Sequence, residues 1–108
     1  MSTLRTPEGS KKYHEYMDRR GENAGCALCE KEALKQFTHW KIVTNDFPYE
    51  RIAQIHDMLI PLRHVTENAL TAEELAEFNE IKRTHVAAEY EYLLEVTPKG
   101  LSIPGHFH

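Results

Sequence analysis

Cysteine is scarce in this chain, with two in 108 residues, so no disulfide framework holds it together and a hydrophobic core must do so. Glycine and proline are sparse too, at five each, which excludes collagen-like and low-complexity chains. No apolar run approaches the roughly 20 residues of a membrane helix. The opening residues Met1-Ser2-Thr3-Leu4-Arg5 form no hydrophobic signal segment, so a cytoplasmic protein without membrane association is expected. Basic charge is short in the second half, where residues 64–108 carry 3 basic and 8 acidic groups, against 10 and 9 in residues 1–63. With a net charge of -4 the chain lacks the basic face that a nucleic-acid backbone requires, and no nucleic-acid partner is expected. A small phosphorylated ligand stays open, because backbone N–H groups and histidines bind phosphate without a large positive field.

What the chain does have is a 41% hydrophobic, 28% charged composition that suits one soluble domain, and seven histidines: His14, His39, His56, His64, His85, His106 and His108. Residues 1–12 show no apolar pattern and read as a mobile or loosely docked leader. Tyr13, Tyr16 and Met17 predict a short helix ending near Arg20, ahead of a domain over residues 21–108. Good helix formers predominate over residues 30–37. Trp40 to Thr44 and Asp57 to Ile60 are strand-like, and the turn residues Asn45-Asp46-Phe47-Pro48 between them make an antiparallel pair.

Thr71 and Glu74 form a capping-box pattern. Behind them Leu75, Phe78, Ile81, His85, Ala88 and Tyr92 recur in steps of three and four, which predicts one long helix ending before Pro98. Glu73, Glu74, Glu77 and Glu80 then read as its solvated face. His39 and His85 read as structural and His14 as exposed. Leu101 to Ile103 and His106 to His108 look like short strands around Pro104-Gly105.

Cys26-Ala27-Leu28-Cys29 is a C-x-x-C pair, which fits a metal knuckle, a dithiol redox site or coincidence. Tetrahedral zinc needs two further ligands, and His64 and His106 are the candidates; His64 fits an ordinary loop histidine equally well. A closed Cys2His2 set would be structural, with no coordination position left for water. His106-Phe107-His108, if extended, puts both imidazoles on one side, an arrangement suited to attack on phosphorus and to proton transfer; solvated histidines are the plain alternative.

Taken in order, the C-x-x-C pair, Asn45-Asp46-Phe47-Pro48, His56-Asp57-Met58-Leu59-Ile60-Pro61-Leu62-Arg63-His64-Val65, the capped helix from Thr71 and His106-Phe107-His108 resemble the histidine triad superfamily. The chain also looks like that superfamily's zinc-containing, uridylyltransferase-like branches, and the resemblance covers residues 26–108, about three quarters of the chain. The resemblance implies an α+β fold: an antiparallel sheet of about five strands with one long helix packed on it, commonly dimerised. It implies that Cys26, Cys29, His64 and His106 hold structural zinc. His108 corresponds to the histidine that attacks a nucleotide α-phosphate and carries the nucleotidyl group, with His56 supporting it from the neighbouring strand. Asn45 corresponds to a ribose contact, Ile42 and Phe47 to the base pocket and Ser102 to a phosphate contact. The chain departs from the pattern in ending at His108, before the motif's third histidine and the rest of that strand. The implied function is a nucleotide hydrolase or nucleotidyl transferase; the alternatives are a non-catalytic zinc-stapled binding module and a dithiol redox protein.

Overall fold

The computed structural model describes residues 4–20, 26–49, 51, 53–97 and 105–108. The first helix, α1 (Pro7–Arg20), starts six residues earlier than the apolar spacing predicts. Its start is set by polar chemistry: Thr6 Oγ1 accepts the Gly9 N–H at 3.1 Å, Pro7 supplies a fixed φ at the first helical position, and Glu8 faces the positive end of the helix dipole. Residues 7–12 therefore extend the helix that Tyr13, Tyr16 and Met17 predict. The second helix, α2 (Ala27–Glu30), is a single turn. The helix expected over 30–37 is absent, because Leu34 and Phe37 pair their backbone N–H groups with the Ile42 and Trp40 carbonyls and pull the segment into a short strand, β1 (Lys35–Gln36).

β1, β2 (Trp40–Thr44) and β3 (Asp57–Pro61) form an antiparallel sheet in the order β1-β2-β3, with Trp40 opposite Pro61 and Ile42 opposite Leu59. The fold is α+β. Among the described residues the sheet has three strands; residues 90–97 follow no ladder, and the 105–108 segment makes one backbone bond, Phe107 N–H to the Val65 carbonyl, instead of a strand. The expected strand at 101–103 lies outside the described residues.

Alternation along the strands divides the core in two. Trp40 gathers Ile81, Val86 and Phe107 with Leu59 and Phe78 on one face, while Val43 and Ile60 close on Leu28, Cys26 and Met58. The helix α3 (Ala72–Ile81) continues through a π-helical turn over Lys82–Val86 into α4 (Ala87–Glu89). That wider turn inserts one residue, so the buried stripe steps from Ile81 to Val86 and leaves Ala88 exposed; the helix then stops at Glu89, short of the expected end before Pro98, because Tyr90 turns to extended backbone, and Tyr92 lies exposed beyond it. No described helix is long and apolar enough to cross a membrane.

The capping box forms as its residues predict: Glu74 N–H donates to Thr71 Oγ1 at 3.1 Å and Thr71 N–H to Glu74 Oε1 at 2.9 Å. The acidic run is not a uniformly solvated face. Glu74 is 2% exposed and receives Arg63 through Nη2 at 2.6 Å and Nε at 3.1 Å, and Glu77 accepts the N–H groups of Thr38 and His39. Both carboxylates serve backbone or cation donors that sequence spacing cannot reveal.

Hydrogen bonds from Arg63, then from Thr71, hold the Glu74 carboxyl at about 2. A depressed carboxyl contributes stability that is present above its ordinary value near pH 4.3 and is lost as pH falls toward 2. Glu74→Gln is expected to lower stability at pH 7 by about 2 kcal/mol, the half-exposed Arg63 screening the pair. In denaturant titrations the gap between native and variant should shrink steadily from pH 5 toward pH 2. A gap that stays constant over that range would contradict the assigned role.

Candidate functional site

Cys26 caps α2 with extended backbone and Cys29 lies within its single turn, so the three-residue spacing brings both sulfurs to one side while Leu28 anchors the turn in the core. His64 follows β3 by three residues, and His106 comes from the far end of the described chain. The four ligand atoms all lie within 4.8 Å of one another and can hold a metal ion. Cys26 Sγ lies 3.5 Å from His106 Nδ1, and Cys29 Sγ lies 3.3 Å from His106 Nδ1 and 3.4 Å from His64 Nδ1. With metal–sulfur bonds of about 2.3 Å and metal–nitrogen bonds of about 2.1 Å, a tetrahedron has sulfur–nitrogen edges of roughly 3.6 Å. The donor set fits a four-coordinate ion.

Outer contacts orient these ligands. His106 is fully buried, and its Nε2–H donates to the Pro61 carbonyl at 2.9 Å, which fixes Nδ1 as the lone-pair nitrogen aimed at both sulfurs. The His64 and His106 rings meet edge to face with centroids 5.1 Å apart. Gly105 sits against the His64 ring, where a Cβ would lie 3.4 Å from Nε2, an ordinary contact distance. Burial is the main cause that lowers the His106 imidazole, keeping it neutral. The Cys29 thiol is raised by partial desolvation and then by Cys26, a cost that a bound cation reverses.

Alongside the cluster runs an open cavity of about 1050 Å³, at the upper end of ligand-pocket sizes. His108, His56, Asn45 and Phe47 all line it. Ile42, expected near a base pocket, does not: the cavity follows β3, no β2 residue reaches it, and Ile42 is buried in the middle strand. Ser102 lies outside the described residues. The two imidazoles of His106-Phe107-His108 do not share a task, because the segment begins in a turn; His106 joins the metal cluster and His108 faces the cavity.

Each cavity histidine has a fixed tautomer. Tyr49 N–H donates to His56 Nδ1 at 2.9 Å, so His56 carries its proton on Nε2. His108 Nδ1–H donates to the His106 carbonyl at 2.9 Å, so its Nε2 holds the lone pair. Burial, then Arg5, lowers the His56 imidazole; burial is also the largest cause for His108, opposed by the His106 carbonyl and aided by Arg5. Asn45 accepts the Phe47 N–H at 2.9 Å and directs Nδ2 at the His56 ring, 3.3 Å from Nδ1.

Sequence reasoning missed Arg5, Tyr13, Tyr16 and Tyr90, which also line the cavity. Tyr13 meets the Phe47 ring edge to face at 5.4 Å and Tyr16 tilts against it at 5.0 Å, and Tyr90 donates to Asp57 at 2.5 Å. The Thr6-Pro7-Glu8 helix start was the signal that could have placed α1 beside Phe47. Compared with protein-family models, with curated proteins and with solved structures, the chain has no match, so its function rests on this geometry.

Proposed function

We propose that the protein is a nucleotide hydrolase or nucleotidyl transferase of histidine triad type, with the Cys26, Cys29, His64 and His106 cluster holding a structural zinc ion. The observation that carries the reading is the hydrogen bond from His108 Nδ1–H to the His106 carbonyl, which leaves the Nε2 lone pair free in a nucleotide-sized cavity beside His56, Asn45 and Phe47. In this reading Nε2 forms a bond to the α-phosphorus of a nucleoside phosphate or phosphoramidate as the bond to the leaving group breaks. The leaving group takes a proton, and water or an acceptor phosphate then cleaves the nucleotidyl-histidine and restores the imidazole. Cys26, Cys29, His64 and His106 would hold the zinc, which would supply cross-linking of the three segments that carry them. The reading carries with it a five-stranded sheet, a homodimer and a cytoplasmic location.

The test is incubation with adenosine 5′-phosphoramidate, followed by peptide mass spectrometry for an acid-labile nucleotidyl adduct on the peptide containing His108. An adduct on that histidine supports the reading, and turnover without one overturns it. A second reading, a zinc-stapled module that binds nucleotide without turnover, draws on Asn45, whose carboxamide oxygen is already engaged by Phe47. Measurable AMP binding with no cleavage of the phosphoramidate would select it.

A further inference from the structure

Arg5 is 7% exposed, yet it lines the cavity. Its guanidinium lies over two rings, 4.5 Å from the Tyr13 centroid and 5.0 Å from that of Tyr49, and Nε donates to the Phe47 carbonyl at 2.8 Å. Burying a permanent cation is costly unless an anion meets it. Among the described residues no carboxylate pairs with Arg5. Two acidic groups of the cavity wall have other partners: Asp46 pairs with Lys31 at 2.9 Å, and Asp57 accepts from Tyr90 while its charge opposes that of Arg5 at His56. Glu89, Glu91 and Glu95 also line the wall, and the Arg5 charge lowers both cavity imidazoles.

A latch for the N-terminal arm does not need this charge. The Arg51 N–H already binds the Leu4 carbonyl at 3.2 Å, and Tyr13 and Tyr16 already pack on Phe47, so an apolar side chain beside the tyrosines would serve. We propose that Arg5 is the anion anchor of the cavity, its guanidinium receiving a phosphoryl group beside His56 and His108. The assignment rests on the nucleotide reading for the identity of that group, and on the Arg5 geometry for the site. The arm thereby becomes part of the binding site, its aromatic flanks holding the guanidinium in place before the anion arrives.

Calorimetric titration of the native chain, Arg5→Met and Arg5→Lys with AMP, adenosine and inorganic pyrophosphate tests this. Arg5→Met is expected to weaken AMP about 10- to 100-fold, the range of a charge-assisted hydrogen bond, and to leave adenosine within about twofold. Arg5→Lys, which keeps a cation over the rings but loses the planar fork, should weaken AMP about fivefold. A merely structural Arg5 would weaken AMP and adenosine together, and that result overturns the proposal, as does unchanged AMP affinity in both variants. Should Arg5→Met fail to fold, the AMP-to-adenosine ratio of Arg5→Lys decides. Pyrophosphate binding that depends on Arg5, in a chain that binds neither AMP nor adenosine, would keep the anchor and overturn the nucleotide reading. Absence of binding by all three would overturn both.

Discussion

Chelation of the metal is expected to lower the melting temperature by about 15 °C, and Cys29→Ser to do the same without chelator. The four ligands come from three segments with no disulfide between them, since both cysteines are free, and α2 is a single turn seated by Leu28 and Cys26. A turn this short does not persist alone. Structural zinc contributes about 10–16 kcal/mol in peptides that have no other core. Here the clusters around Trp40 and around Val43 and Ile60 remain, so a net loss of roughly 3 kcal/mol is expected, at about 5 °C per kcal/mol for a chain of this size. Calorimetry with and without a strong chelator, alongside metal analysis, reads it. An unchanged transition in both chelated protein and Cys29→Ser would remove the metal from the account.

His108→Ala is expected to reduce phosphoramidate cleavage at least about 1000-fold, because loss of the nucleophile leaves only binding and electrostatic stabilisation. The melting temperature and metal content should change little, since His108 lies outside the ligand set and its hydrogen bond runs to a backbone carbonyl. Added imidazole should partly restore the rate in His108→Gly, where the side-chain space is open. Full activity in His108→Ala would end the nucleophile assignment, and loss of both fold and metal would recast His108 as structural.

Local chemistry was legible from sequence and distant chemistry was not. β2 and β3 were readable because residues 40–44 and 57–60 are rich in strand-favouring and apolar residues with turn residues between them, and the Thr71 and Glu74 box because its partners are three residues apart. The metal ligands were readable as types, since few residues bind soft ions, although only folding brings residues 26, 29, 64 and 106 together. Glu74 was misread because its partner Arg63 lies 11 residues upstream, and β1 because Leu34 and Phe37 take their bonds from β2. Ile42, taken from the family resemblance, lies in the middle strand and does not line the cavity, because a resemblance in residue order does not say which edge of the sheet borders it. Arg5 gave no pattern at all; its meaning comes from Tyr13, Tyr49 and Phe47.

The spacing of the four metal-binding residues divides the chain into two closed circuits once an ion is in place. One runs from Cys29 to His64 and contains the whole three-stranded sheet; the other runs from His64 to His106 and contains α3, the π turn and α4. Each circuit begins and ends at the same point, so a protease cut within either would leave two fragments still tethered through the ion. Such a nicked protein should migrate as one species until the ion is withdrawn and then come apart, whereas Arg5 and the α1 arm lie outside both circuits and could be clipped away without opening either.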